Sequence, residues 1–205
     1  MLLLPQIEHN FSYNKPYMSI DLSSFPKPTF VDWSSGLLEG EAIEQSRKTL
    51  GQLAGLFHDR EAWSRMDPEI EVYKVRFWRP VPDGKTGGLF WGATTLNPGR
   101  VGDEYFMTHG HFHSLRDRAE LYATISGEGA LLLMDQESQT CSQTMTPGSV
   151  HYIPGNVAHR VVNTGSIPLV FVASWPSDAG HDYQKIRDTG FSKRMVARDG
   201  VPCLI

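Results

Sequence analysis

"HGHFHSLRDRAELYATISGEGALLLMD", residues 109–135, holds both the rhythm that decides the fold and the residues that suggest a chemistry. Its second half reads as two short strands, "AELYATIS" and "GALLLMD", with the turn "SGEG" between them. The same rhythm continues in both directions. Upstream lie "EVYKVRFW", "GLFWGATTL" and "YFMTHGHFH"; downstream lie "CSQTMT", "SVHYIP", "HRVVNT" and "LVFVASW", separated by turns such as "NPG", "TPG", "PGN" and "NTG". In the first of these, Tyr73, Val75 and Phe77 alternate with Lys74 and Arg76, as a half-buried strand requires. Many short strands joined by tight turns, with no long helical crossovers between them, predict an all-β antiparallel sandwich or barrel.

The remainder of the chain is an extension of that barrel. Residues 1–35 carry prolines at 5, 16, 26 and 28 and no sustained periodicity, which predicts an extended N-terminal arm over the domain or a neighbouring subunit or, equally, a mobile tail. Ile43, Leu50, Leu53, Ala54 and Phe57 fall at helical spacing, predicting one amphipathic helix over roughly 41–57 packed on the sheet. Residues 1–60 are thus expected as arm and helix, and 61–205 as the barrel domain. A chain of 205 residues and 23.0 kDa has room for one such domain and little more.

Composition narrows the function. With 40% hydrophobic and 20% charged residues the chain reads as soluble and globular, and a net charge of −4 without any Lys/Arg run predicts neither nucleic acid nor membrane as partner. The opening "MLLLP" is too short for a signal-peptide core, and Cys141 and Cys203 stand far apart outside any Cys-x-x-Cys pair. The expected location is therefore the reducing cytoplasm. "SRKTL" and "SLRDR" read as solvated charged faces.

The histidines carry the chemistry. Side chains two apart on a strand point the same way, so His111 and His113 project together, and a turn at "SLRD" swings Glu120 opposite them. His159 opens the strand after "PGNVA". Three imidazoles and a carboxylate suit one borderline divalent metal, Fe(II) first and Mn(II), Ni(II) or Zn(II) as alternatives, with open positions for substrate. His109 shares the pair's parity and competes as a ligand. Gly110 is expected to end strict alternation, which favours the later pair and turns Thr108 inward. His151, between Val150 and Tyr152, is expected in a core or dimer interface, and His9 and His58 at the surface.

These spacings resemble the two motifs of the cupin superfamily. "HFHSLRDRAELYATISG" runs from His-x-His through Glu120 to Gly127, and "GSVHYIPGNVAHRVVN" places Gly148, Pro154, His159 and Asn163. Six residues, rather than three or four, separate His113 from Glu120. That longer gap, with "TTLNPGRVG", "MTHGHFH", "DRAELY", "HRVVN" and "DAGHDY" followed by "GFSK", resembles the cupin-type glucose-6-phosphate isomerases over roughly residues 65–195. The resemblance implies a jelly-roll barrel (a double-stranded β-helix), a homodimer and a sugar-phosphate substrate. It implies metal ligation by His111, His113, Glu120 and His159, and phosphate contacts from Thr108, Gly110 and one of Thr94 or Thr95. Tyr122 is implied as a sugar contact, and His181 and Tyr183 as a lid over the substrate, with Glu120, His181, Tyr183 and Tyr122 as the catalytic set. Trp175 stands where relatives carry tyrosine.

Hydrogen then moves between C2 and C1, through an enediol or by a direct hydride shift. An Fe(II) dioxygenase and a non-enzymatic small-ligand-binding cupin are the competing functions. The polar "DAGHDY" loop and the threonines favour the isomerase over the former. The absence of room for a DNA-binding or signalling domain speaks against a sensor.

Overall fold

The computed structural model describes residue 23 and residues 25–205. His9 and most of the expected arm lie outside the described residues. Within them, β1 (Phe30–Asp32) and β2 (Leu37–Glu39) form a hairpin, followed by β3 (Ile43–Thr49), the short helix α1 (Arg60–Ser64), β4 (Glu71–Trp78) and β5 (Leu89–Leu96). Then come β6 (Arg100–Val101), β7 (Glu104–Tyr105), β8 (Glu120–Ser126), β9 (Gly129–Met134), β10 (Thr140–Met145), β11 (Val150–Ile153), β12 (Ala158–Asn163) and β13 (Leu169–Pro176). The chain closes with α2 (Gln184–Thr189), β14 (Met195–Arg198) and β15 (Val201–Leu204).

The fold is all-β. An antiparallel six-stranded sheet, ordered β11-β8-β13-β5-β4-β3, shares one core with a three-stranded sheet, β10-β9-β12. Leu131 and Val161 from the smaller sheet bury together with Leu96, Tyr122 and Phe171 from the larger, which makes a jelly-roll barrel. The continuous apolar run of β9 is buried on both faces, unlike the alternating β11. Leu131 is fully buried, so truncating it to alanine removes about 2–5 kcal/mol of stability.

Two expectations need correction. Residues 41–57 are not a helix: Ile43–Thr49 form an edge strand paired with β4, with Ser46 opposite Val75 and Lys48 opposite Tyr73, and only Gly51–Leu53 make a 3-10 turn. Backbone pairing offered by β4 outweighs a weak helical pattern. Gly51 and Gly55, the latter at φ +87°, interrupt what the spacing suggested, and Leu50, Leu53 and Phe57 reach the core from a turn and a loop instead. Likewise "YFMTHGHFH" is not a continuous strand. After β7 it keeps isolated bridges, Met107 to Val162, His111 to His159 and Phe112 to Asp182, because Gly110 at φ +75° bends it off the ladder.

Candidate active site

Glu120 heads β8, and His159 is the second residue of β12. His111 is held across from His159 by two backbone hydrogen bonds, His111 N to the His159 carbonyl (3.3 Å) and His159 N to the His111 carbonyl (3.1 Å). His113, two residues on, points the same way. The result is a group of four donors, His111, His113, Glu120 and His159, whose ligand-type atoms all lie within 4.8 Å of one another. His109 faces the same space but is outside this group.

The chemistry of these atoms fits a cation. His113 Nδ1 donates to the Arg118 carbonyl (2.8 Å), which directs Nε2 inward to within 3.2 Å of Glu120 Oε2. His159 Nε2 lies 3.1 Å from the same oxygen but out of line for a hydrogen bond, and with His159 Nδ1 and His111 Nε2 it is buried without a hydrogen-bond partner. Orphaned buried nitrogens are costly, and a divalent ion held by one nitrogen of each imidazole and by the carboxylate would satisfy His111 Nε2 and one of the two His159 nitrogens. Burial, reinforced by the neighbouring imidazoles, holds His111 well below the ordinary histidine range and so neutral. Burial raises Glu120, but the His113 hydrogen bond and the adjacent His159 more than offset it and hold the carboxyl at about 2. Neutral imidazole and ionised carboxylate are the ligating forms.

The group opens into a cavity of about 610 Å³. The pleat determines its lining. Register sets Ser46, Val75, Thr94 and Phe171 in one row across the six-stranded sheet, and Phe77, Gly92, Ala173 and Tyr122 in the next, all facing inward. Thr94 therefore lines the cavity while Thr95, opposite Lys74 and Val170, is on the outer face. Thr108 and Gly110 line it too; the Thr108 hydroxyl accepts from Val161 N (3.0 Å), leaving its hydrogen free to donate. Tyr122 is buried, and that burial, followed by the Glu120 charge, pushes its phenol well above the usual range, so it stays a donor. Gly92 makes room for Trp175, whose ring passes 3.1 Å from where a Cβ would stand. An indole there offers one N–H and no hydroxyl.

His181 and Tyr183 arrive by a separate route. Asp182 pairs with Phe112, the residue between the two ligand-type histidines, through Phe112 N to the Asp182 carbonyl (3.1 Å) and the reciprocal bond (2.8 Å). The neighbours of Asp182 therefore fall on the same side as the neighbours of Phe112. His181 sits 4.4 Å from His111 and Tyr183 5.4 Å, ring centre to ring centre, and the two rings stack at 5.7 Å.

A sequence profile for glucose-6-phosphate isomerase matches residues 47–203. This chain belongs to the glucose-6-phosphate isomerase family. It is 43% identical to the glucose-6-phosphate isomerase of Pyrococcus horikoshii over 83% of this chain and 89% of that protein. It is 41% identical to those of Thermococcus litoralis and Pyrococcus furiosus, over 83% of this chain in each case and 88% and 89% of those proteins. Among solved structures, the oxalate decarboxylase of Bacillus subtilis superposes at a TM-score of 0.41 with 22% identity, over 53% of this chain; this chain spans 26% of that one.

A glucose-6-phosphate isomerase cavity of this shape includes residues that the sequence reading passed over. Lys48 and Ser46, expected as part of a solvated face, line it because β3 is a strand and not a helix. Tyr73 also lines it, its hydroxyl accepting from His109 N at 3.4 Å, and its alternation in "EVYKVRFW" was the available signal. Arg160 lies behind the wall: it is buried, stacks 4.6 Å over Phe191 and donates to the His109 carbonyl at 2.7 Å. A side chain at Gly110 would meet both Phe191 (2.9 Å) and Arg160 (3.0 Å), so this bend tolerates only glycine. His151, by contrast, is buried away from the cavity between Gln143 and Ser149, and His58 is exposed.

Proposed function

We propose that this chain is a metal-dependent aldose–ketose isomerase that interconverts glucose 6-phosphate and fructose 6-phosphate. One observation carries the reading: the four-donor group and a wall of hydroxyl and backbone donors share a single cavity in a chain of this family. His111, His113, Glu120 and His159 hold one divalent ion, Fe(II) ahead of Mn(II), Ni(II) and Zn(II), which supplies Lewis acidity to the C1 and C2 oxygens. Thr94, Thr108 and the Gly110 N–H receive the phosphate, with Lys48 adding a positive charge at that wall. Tyr122 donates to a sugar hydroxyl. Glu120 is committed as a ligand, so the freer groups for carrying a proton between C2 and C1 are His181 and Tyr183, which line the cavity beside the His111 ring.

The wider setting follows from exposed features. Val150, Tyr152 and Leu121 are 68%, 61% and 47% exposed on the β11 edge of the large sheet, an apolar surface that supports a homodimer. Cys141 and Cys203 are both free thiols, which supports a cytoplasmic location. No helix among the described residues is long and apolar enough to cross a membrane.

The test is fructose 6-phosphate turnover, read by a coupled dehydrogenase, on chelator-stripped protein before and after each of the four metals is restored. Activity only with metal supports the whole reading. Silence with every metal rejects it. Light scattering that gives a monomer mass at working concentration rejects the dimer alone.

A further inference from the structure

The six residues between His113 and Glu120 are longer than the cupin pattern requires, and the reading above gives them no task. Asp117 is solvated, as "SLRDR" suggests, but the two arginines are committed to partners. Arg118 makes a two-pronged contact with Asp178, Nε to Oδ1 and Nη2 to Oδ2, both 2.8 Å, and the Asp178 side chain is only 9% exposed. Arg116 Nη2 donates to Asp182 Oδ2, and its guanidinium stacks 4.4 Å over the buried Phe112 ring. Between these two pairs, Leu115 N donates to the Ala179 carbonyl (3.0 Å), and Gly180 lies against Ser114 so closely that a Cβ there would come within 2.9 Å of it. Asp178 and Asp182 bracket His181.

We propose that the 114–119 loop is a tether whose Arg116 and Arg118 are positioning residues for His181 and Tyr183. The inference rests on the isomerase reading for its catalytic consequence, though not for its geometry. Bidentate Arg–carboxylate pairing fixes direction as well as distance, which a lysine in the same place does not. The loop also fixes the metal side, since the Arg118 carbonyl accepts from His113 Nδ1. One residue, Arg118, thus holds a candidate ligand through its backbone and the facing segment through its side chain. The spacing between the two halves of the site is set by this loop together with the Phe112–Asp182 bridge.

The experiment compares full-length metal-loaded parent with Arg118→Met, Asp178→Asn and the exchanged pair Arg118→Asp with Asp178→Arg. Metal content, kcat, KM and hydrogen exchange over residues 178–191 are read for each. In the single variants kcat falls about tenfold to a hundredfold, as a misplacement near 1 Å would give, with KM changed less than about threefold. Metal stays at parent occupancy, exchange over 178–191 accelerates, and the exchanged pair recovers part of both losses. Parent-like exchange and kcat in Arg118→Met overturn the tether. So does loss of metal with exchange unchanged, which would leave the loop acting through His113 alone. Should the parent itself fail to turn over fructose 6-phosphate, the functional reading falls, while exchange, which needs no turnover, still decides the tether.

Discussion

The four-donor group and the His181–Tyr183 segment occupy one cavity but are secured by different means. His111 and His159 lock together through reciprocal backbone bonds, and Glu120 and His159 sit in strands whose ladders run into the core. The segment beside them has one bridge to Phe112 and one further backbone bond, Leu115 N to the Ala179 carbonyl, and loop side chains add Arg116–Asp182 and Arg118–Asp178. Backbone pairing survives most substitutions; side-chain pairing is undone by single ones. The first region is thus built for permanence and the second for adjustment.

Breaking the permanent region gives the largest effect. His111→Ala and His159→Ala are each expected to lose metal and to lower kcat/KM more than about a thousandfold, since a ligand and its Lewis-acid contribution go together. Elemental analysis alongside the coupled assay checks this, and full metal occupancy in either variant would separate the residue from the ion. His181→Ala sharpens the contrast. It is expected to keep the metal and lose about a hundredfold in kcat, the scale of a positioned proton carrier.

The cavity wall comes third. Thr94→Val removes a donor while preserving shape and is expected to raise KM about tenfold, the worth of one good hydrogen bond to a charged group. Thr95→Val, one residue away on the outer face, is expected to leave KM unchanged, and equal effects from the two would contradict the register. His58→Ala is the smallest perturbation. Its exposed side chain predicts stability within about 0.5 kcal/mol of the parent and unaltered metal content, measured by denaturant unfolding.

What the sequence disclosed follows the same division. Alternation, as in β4, and the turn residues that bound short runs such as the continuously apolar β9 located β4, β5 and β8 through β13. The four donors stood out because two of them alternate on one stretch and the others open neighbouring strands. Residues 43–49 misled because an edge strand with one polar face and few apolar residues leaves no alternation to detect, and its identity comes from β4. Choosing Thr94 over Thr95 needed the register with β4 and β13. Asp182 and Asp178, which pair with Arg116 and Arg118, lie 66 and 60 positions away, and no local pattern encodes a contact at that range.

The bridge between Phe112 and Asp182 carries one more consequence, for how such a chain can change over generations. His111, His113, His181 and Tyr183 flank the two paired residues, so their direction depends on alternation about this pairing and, for His111, also on its bridge to His159. A substitution here alters one side chain, whereas inserting or deleting one residue in "HFH" or "HDY" would rotate the neighbours to the opposite face. Length in these two short stretches is therefore under tighter constraint than identity. The turns between strands are free to lengthen, and these two hydrogen-bonded stretches are not.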